Sequence, residues 1–244
     1  MGLLAAVYGL ICYTVFLASF LYSIGFIGDL VVPKTIDSAP GTDLPEALGV
    51  NLVLLGLFAA QHSVMARQGF KAAWTRIVPR AVERSTYVLM SSLLLGLICW
   101  KWQAIPTVIW DVSSPVYKVL LQALFALGWL ILLFSTFMIN HFDLFGLRQV
   151  YLRLRGLAYT PLNFTERALY KCVRHPIYLG FAIAFWATPH MSLGHLVFAI
   201  TTTGYIFVGI FFEERDLMKC HGIEYGAYRA RVPMLLPTGV KRRS

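Results

Sequence analysis

Residues 177–212 read IYLGFAIAFWATPHMSLGHLVFAITTTGYIFVGIFF, thirty-six residues without a charge. As one helix at 1.5 Å per residue this stretch would run about 54 Å, far more than the roughly 30 Å hydrocarbon core of a bilayer requires. Pro189 and Gly194 flank a natural break. The reading is therefore a helical hairpin, with a short arm Ile177–Thr188 and a longer arm Leu193–Phe212. Just before it stand Arg174-His175-Pro176. A proline has no backbone N–H to lose and a φ already suited to a helix, so Pro176 starts one. Arg174 and His175 then sit at its positive end, where free N–H groups and the helix dipole bind anions. An anion-binding corner at a membrane surface points to a ligand.

The rest of the chain agrees with a bilayer. It has 244 residues, 58% hydrophobic and only 14% charged, with a mean hydropathy of +0.66, which is the composition of an integral membrane protein rather than a soluble domain. Uncharged runs long enough to span recur at Gly2–Gly28, Ala47–Ala66, Ser85–Trp100 (reaching Ile105 if Lys101 snorkels) and Val119–Phe142. With the hairpin at 177–212, the expected fold class is an all-α integral membrane protein of five membrane units, followed by a cytoplasmic tail, 213–244. The first run lacks a basic start and exceeds a signal-peptide core, so it reads as a retained anchor.

Lysine and arginine set the orientation. The segments 67–84, 143–176 and 213–244 hold 18 of the 21 basic residues, whereas 29–46 and 101–118 hold only Lys34, Lys101 and Lys118. The positive-inside rule then places both termini in the cytoplasm. The net charge of +9 is explained by loops lying against anionic lipid, with the Lys241-Arg242-Arg243 tail among them, and nucleic acid is not an expected partner. Cys12, Cys99, Cys172 and Cys220 show no metal-type spacing and imply no disulfide framework. No repeat or long linker divides the chain, so a single transmembrane domain, 1–244, is expected. The external loop Asp29–Glu46, with Pro33, Pro40, Gly41 and Pro45, reads as an irregular cap. Leu147, Val150, Leu152, Leu154 and Leu157 alternate with Arg148, Arg153 and Arg155, which suits a short interfacial helix broken at Gly156 and Pro161. The tail extends the last helix, turns near Gly222, and is rich in aromatic and proline residues that pack against something.

Polar groups inside membrane helices are costly and so are candidates for function. Gln61-His62-Ser63 lies near the cytoplasmic end of the second span, and Asn140-His141 closes the fourth, followed by Asp143. With Arg174-His175 and Glu213-Glu214, four chain segments bring His, Arg, Asp and Glu to one layer. Each has a plainer explanation: a histidine near a helix end can bond a neighbouring helix, and Glu213-Glu214 can be a solvated helix end. His190 and His195, at the external turn, and His221 are read as solvated. Only His62 and His141 are candidate ligands within the membrane, so a bis-haem cytochrome b architecture is not expected, and a single metal on His62, His141 and Asp143 stays open without being demanded by the spacing.

Arg174-His175-Pro176, Tyr178 and Gly180, with Glu213-Glu214 some 35 residues later and Tyr225, Tyr228, Val232-Pro233 and Leu236-Pro237 beyond, resemble the isoprenylcysteine carboxyl methyltransferase superfamily. The likeness covers about the last 100 residues. It implies that motif, hairpin and tail enclose S-adenosylmethionine at the cytoplasmic face of a bacterial inner membrane, with Arg174, His175, Pro176, Tyr178, Leu179, Gly180, Glu213, Glu214, Tyr225 and Arg229 as cofactor-binding residues. Gln61-His62-Ser63-Val64-Met65-Ala66-Arg67 and the run Asn140 to Arg148 resemble that superfamily's small-thiol branch. They imply methanethiol as substrate and dimethyl sulfide as product. Membrane sterol reductases carry a similar Arg-His-Pro-x-Tyr run.

The residue chemistry is compatible with that expectation. Arg174 and the start of the helix suit a carboxylate, Glu213 or Glu214 suits ribose hydroxyls or an ammonium, and Tyr178, Phe181 and the tail rings suit an adenine. Gly180 would let the cofactor approach the backbone. A thiol must lose its proton to become the nucleophile. His141 oriented by Asp143 is the first candidate base and His62 the second. Charge is lost as a thiolate meets a sulfonium, so a dry membrane pocket favours the reaction. The alternatives are methylation of a larger lipid-linked thiol or carboxylate, an NADPH-dependent reductase, and a non-enzymatic sensor or accessory protein.

Overall fold

The computed structural model describes residues 2–38, 42–162 and 164–238. Pro40 and Gly41 of the external loop and the Lys241-Arg242-Arg243 tail lie outside the described residues. Five helices are long and apolar enough to cross a membrane: α1 (Gly2–Ile27), α2 (Leu44–Ala66), α4 (Arg80–Lys101), α5 (Pro115–Ile139) and α9 (Leu193–Arg231). Between them lie α3 (Gln68–Trp74), the short strand β1 (Val108–Asp111), α6 (His141–Leu144), α7 (Leu147–Leu154), a 3₁₀ turn (Ala168–Lys171), α8 (Pro176–Trp186) and the strand β2 (His190–Ser192) that pairs with β1. The helices expose apolar surface outward, with Leu3, Leu10, Leu17 and Leu21 open on α1 and Leu120, Leu127 and Phe134 open on α5. In water that surface would be a large liability, whereas among lipid tails it is expected.

Several boundaries move from their sequence-based positions, each for a local reason. Helix α5 starts four residues early because Pro115 serves as its first turn. It ends at Ile139 because Asn140 takes an extended φ of 172° and uses its side chain to accept the amide of Asp143. His141 therefore stands outside the span, on α6. Helix α4 stops at Lys101, whose ammonium lies 4.0 Å over the Trp100 ring, so the span does not extend to Ile105. The uncharged run from Ile177 is broken between Trp186 and Leu193, ahead of Gly194, which falls inside the first turn of α9. Helix α8 has eleven residues, about 16 Å, too short to span alone. The turn expected near Gly222 is present: at φ 41° and ψ −110° this residue leaves helical geometry, and a kink there divides α9 into two helical stretches. That φ belongs to the region where glycine carries little strain.

The described chain groups into two compact units. One holds residues up to Ile109 with Asn140–Pro161 and Ser192–Leu196; the other holds Trp110–Ile139, Leu162–Met191 and the residues from Val197 on. In the first, α7 seats Val150 against α1 where Gly9 leaves room, since a Cβ on Gly9 would fall 2.6 Å from Val150 Cγ2. Asn51 of α2 satisfies both ends of its amide on Gln103, donating to the carbonyl at 2.7 Å and accepting the amide at 2.9 Å. His195, expected to be solvated, is 1% exposed, and its amide donates to Ser192 Oγ at 3.0 Å. The buried cluster Met65, Tyr87 and Val88 is flanked by Phe16, Phe70 and Phe145.

In the second unit α8 lies against α5 at a paired-glycine contact. A Cβ on Gly180 would stand 2.6 Å from Gly128 O and 2.8 Å from Leu132 N. Small residues at a helix crossing let backbones approach inside a membrane, where dispersion replaces the hydrophobic effect as the driving force. Around the crossing, Trp129 meets Phe181 and Phe185 edge-on at ring distances of 5.9 and 6.4 Å. Phe164 packs edge-on to Tyr225 and Tyr228. This is what the aromatic tail packs against.

Candidate functional site

In the second unit the start of α8 is organised by one carboxylate. Pro176 occupies the first helical position and His175 precedes it without a side-chain cap, so the next amides, of Ile177 and Tyr178, head an uncapped turn. Glu214 reaches this turn from α9. Its Oε1 accepts from Arg174 Nε at 2.7 Å and lies 3.1 Å from His175 Nε2, while its Oε2 lies 3.1 Å from Arg229 Nε. The Glu214 and Arg174 side chains are only 8% and 10% exposed. A carboxylate so enclosed survives because each oxygen is matched to a cation. Arg174 also donates from Nη1 to the carbonyls of Arg229 and Val232. The backbone amides of Arg174 and His175 donate to Pro233 O and Met234 O at 2.9 and 3.2 Å. The tail is thereby fixed onto the motif.

This arrangement revises several expected roles. Glu214 is committed to Arg174, His175 and Arg229, whereas Glu213 is 45% exposed, with Oε2 at 3.7 Å from His175 Nδ1, and is the acid with oxygens to offer a ligand. Gly180 turns to α5, and its missing side chain serves helix packing rather than cofactor approach. Phe181 lies among Trp129 and Phe185. The Tyr178 hydroxyl sits over Gly209, 3.4 Å from where a Cβ would be. Leu179 is partly buried on the first turn of α8. Beside Glu214 and Arg229 an open pocket of about 440 Å³ is lined also by Phe211, Arg215, Met218 and Lys219. Tyr225 is 1% exposed and lies close enough to Glu214 for its hydroxyl to interact with that carboxylate. A buried tyrosine hydroxyl, two arginines, a histidine and an exposed carboxylate are the groups that a zwitterionic nucleoside with hydroxyls would use.

Two further ties were not visible in the chain. Glu166 receives Arg231 Nη2 on both oxygens, at 3.0 and 3.1 Å, and Tyr228 donates to Tyr170 O at 2.7 Å. Burial pushes the Tyr170 phenol above its ordinary value, and the charge of Glu213 adds to this. That ring stays protonated.

The first unit holds the histidine candidates. His141, 5% exposed, opens α6, and its Nε2 lies 2.8 Å from the Tyr13 hydroxyl of α1. Its ring also meets Phe145 at 4.7 Å and Phe142 at 5.5 Å. Burial lowers its pKa below the ordinary imidazole value, which keeps it neutral and able to accept a proton. Asp143 is held elsewhere than expected: Arg148 Nη1 donates to its Oδ1 at 2.9 Å and Tyr159 to its Oδ2 at 3.3 Å. Arg148 continues to Thr160, donating to the carbonyl at 2.9 Å and the hydroxyl at 2.8 Å. His62 stacks on Phe58 at 5.3 Å, with Nε2 at 2.8 Å from Tyr87 Oη and Nδ1 at 3.1 Å from Ser91 Oγ. Ser91 passes the chain on to Gln61 Oε1 at 3.2 Å. A second open pocket, of about 380 Å³, is lined by Asn140, Phe142, Leu147, Arg148 and Tyr151. Tyr13, Tyr87 and Ser91 went unnoticed because a lone tyrosine or serine in an apolar run has no period that marks it. Among the described residues no group of three His, Cys, Asp or Glu side chains is placed to hold a metal ion.

Comparison with known proteins adds an independent line. The family profile described as NnrU protein matches residues 51–217. A methanethiol S-methyltransferase of Mycobacterium tuberculosis is 59% identical over 234 residues, covering 96% of both chains. One from Crocosphaera subtropica is 54% identical, covering 94% of this chain and 90% of its own. Nurim of Rattus norvegicus is 31% identical over 180 residues, covering 70% of this chain and 68% of its own. No solved structure matches the chain.

Proposed function

The chain belongs to the NnrU family, among proteins like the methanethiol S-methyltransferases, and on that premise we propose that it methylates methanethiol to dimethyl sulfide with S-adenosylmethionine as donor. The observation that carries the reading at the level of residues is the cluster of Arg174, His175 and Arg229 on Glu214, beside the open pocket of about 440 Å³. Bound S-adenosylmethionine supplies an electrophilic methyl on a sulfonium; the thiolate sulfur forms the new S–C bond while the sulfonium C–S bond breaks, leaving S-adenosylhomocysteine.

The chain's own residues do the rest. Arg229, more than half exposed beyond its contact with Glu214, and the uncapped turn at Ile177 and Tyr178 attract the donor's carboxylate. Glu213 takes ribose hydroxyls or the ammonium. Glu214 keeps Arg174, His175 and Arg229 in place, and Tyr225 lies buried beside it. His141 is the base assigned to the thiol proton, with His62 as the second candidate. Helices α8 and α9 act as a hairpin, with both termini and the donor site on the cytoplasmic side of the inner membrane, an orientation supported by the distribution of lysine and arginine.

The test is equilibrium binding of labelled S-adenosylmethionine to the detergent-solubilised protein, with Glu213→Gln beside it. Saturable binding, displaced by S-adenosylhomocysteine and weakened about tenfold or more in the variant, supports the reading; one lost charged hydrogen bond has that size. Absence of binding to folded protein overturns the donor assignment.

A further inference from the structure

Tyr13 and His141 are 128 residues apart in sequence, yet Tyr13 Oη and His141 Nε2 are 2.8 Å apart. The rings meet edge-on at 5.8 Å and 83°. Phe145 braces both, at 6.3 Å from the Tyr13 ring and 4.7 Å from the imidazole, and itself stacks on Phe16 at 4.0 Å. The imidazole is thus held in one plane by aromatic contacts, and a hydroxyl from a membrane-spanning helix is aimed at one of its nitrogens. A polar group on such a helix is costly unless it has a partner, so the pairing is specific rather than incidental.

We propose that Tyr13 is the positioning residue for His141 in the methyl transfer. The inference rests on the assignment of His141 as the base. As the S–H bond of methanethiol breaks, its proton passes to the imidazole and its electron pair stays on sulfur to form the new S–C bond. The imidazolium then returns the proton to solvent. A neutral imidazole donates from one nitrogen only, whereas an imidazolium donates from both. In the protonated state Nε2–H must therefore donate, and the Tyr13 oxygen is there to accept. A hydrogen bond from an ionised donor is roughly twice as strong as a neutral one. Tyr13 thus favours the form of His141 that exists only once the proton has moved, which is where a contact accelerates a reaction.

The surrounding charges are independent of Tyr13. On α6 and α7, Asp143 is paired with Arg148; on α4, Arg84 Nε donates to Leu144 O at 2.7 Å; on α1 the titratable neighbours are Tyr8 and the buried Cys12. None of them changes in Tyr13→Phe, which keeps the ring contacts and removes only the hydroxyl.

The experiment follows dimethyl sulfide turnover against pH for the full chain, Tyr13→Phe, His141→Ala and the double variant, with S-adenosylmethionine affinity measured for each. Tyr13→Phe is expected to lower kcat about tenfold with donor affinity unchanged, and to move the acid limb of the profile down by about one pH unit, since a weakened imidazolium titrates lower. The double variant is expected to be no worse than His141→Ala alone. An acid limb that stays in place in Tyr13→Phe, or losses that multiply in the double variant, overturns the role of Tyr13. Full turnover in His141→Ala overturns instead the assignment of the base, so the two failures are distinguishable.

Discussion

Gly180→Ala separates two uses of one glycine. An alanine Cβ at this position would lie 2.6 Å from Gly128 O, 2.8 Å from Leu132 N and 2.9 Å from Leu132 Cβ. Two of those atoms are backbone of α5 and cannot rotate away. Ordinary contact begins near 3.4 Å, so α8 and α5 must part by about 0.8 Å along the shortest line, and interiors as dense as crystals resist such shifts. Overpacking of this kind costs about 1–3 kcal/mol. At about 2–4 °C per kcal/mol for a chain of this size, the apparent melting temperature should fall by roughly 2–12 °C. Gly204→Ala is the control, because a Cβ there meets nothing within 4 Å and alanine is the better helix former by up to about 1 kcal/mol. Tryptophan fluorescence on heating in detergent reads both, at one fixed scan rate because membrane proteins unfold irreversibly. Folded Gly180→Ala should still bind S-adenosylmethionine. A melting curve unchanged by Gly180→Ala, together with lost binding, would refute the packing argument and restore the glycine to the ligand.

Glu214→Gln keeps the shape but leaves the enclosed Arg174 without its countercharge, so stability should drop by roughly 3 kcal/mol, read as a lower melting temperature; an unchanged curve would show that the cluster does not depend on the charge. Reversing the tail pair, Glu166→Arg or Arg231→Glu, should increase protease cleavage after residue 220, and combining both reversals should restore resistance, whereas equal cleavage in all four proteins would remove this ion pair from the account. Because burial depresses the His141 pKa, the neutral base persists below the ordinary imidazole value of 6.5, and the acid limb of turnover should fall below that pH. The same sign makes the buried neutral histidine favour folding above the unfolded pKa and lose that contribution as pH falls through the folded one. Turnover already lost above pH 7 would contradict it.

What could be read from the chain followed from local rules. Uncharged runs marked the membrane helices, Pro176 marked the start of α8, and the clustering of basic residues suggested an orientation. The boundaries that moved did so at residues that act locally: Pro115 as a first turn, Asn140 as a cap, Lys101 over the Trp100 ring at the end of α4. The character of the site was only partly legible. Arg174, His175 and Glu214 were picked out, but their mutual saturation was not, because residues 39 and 40 positions apart meet only through the packing of α8 and α9. Gly180 stood out as a motif glycine, yet its reason lies on α5, in Gly128, where no sequence pattern links the two. Tyr13 is the clearest gap. A tyrosine within a 26-residue apolar helix looks like any aromatic ring facing lipid until the fold brings His141 to it.

Headspace gas chromatography of membranes containing the protein, given methanethiol and S-adenosylmethionine, tests the central claim most directly. The account predicts dimethyl sulfide that requires both reagents and the protein, and that carries the labelled methyl of the donor. No dimethyl sulfide from membranes in which the folded protein binds S-adenosylmethionine would contradict it.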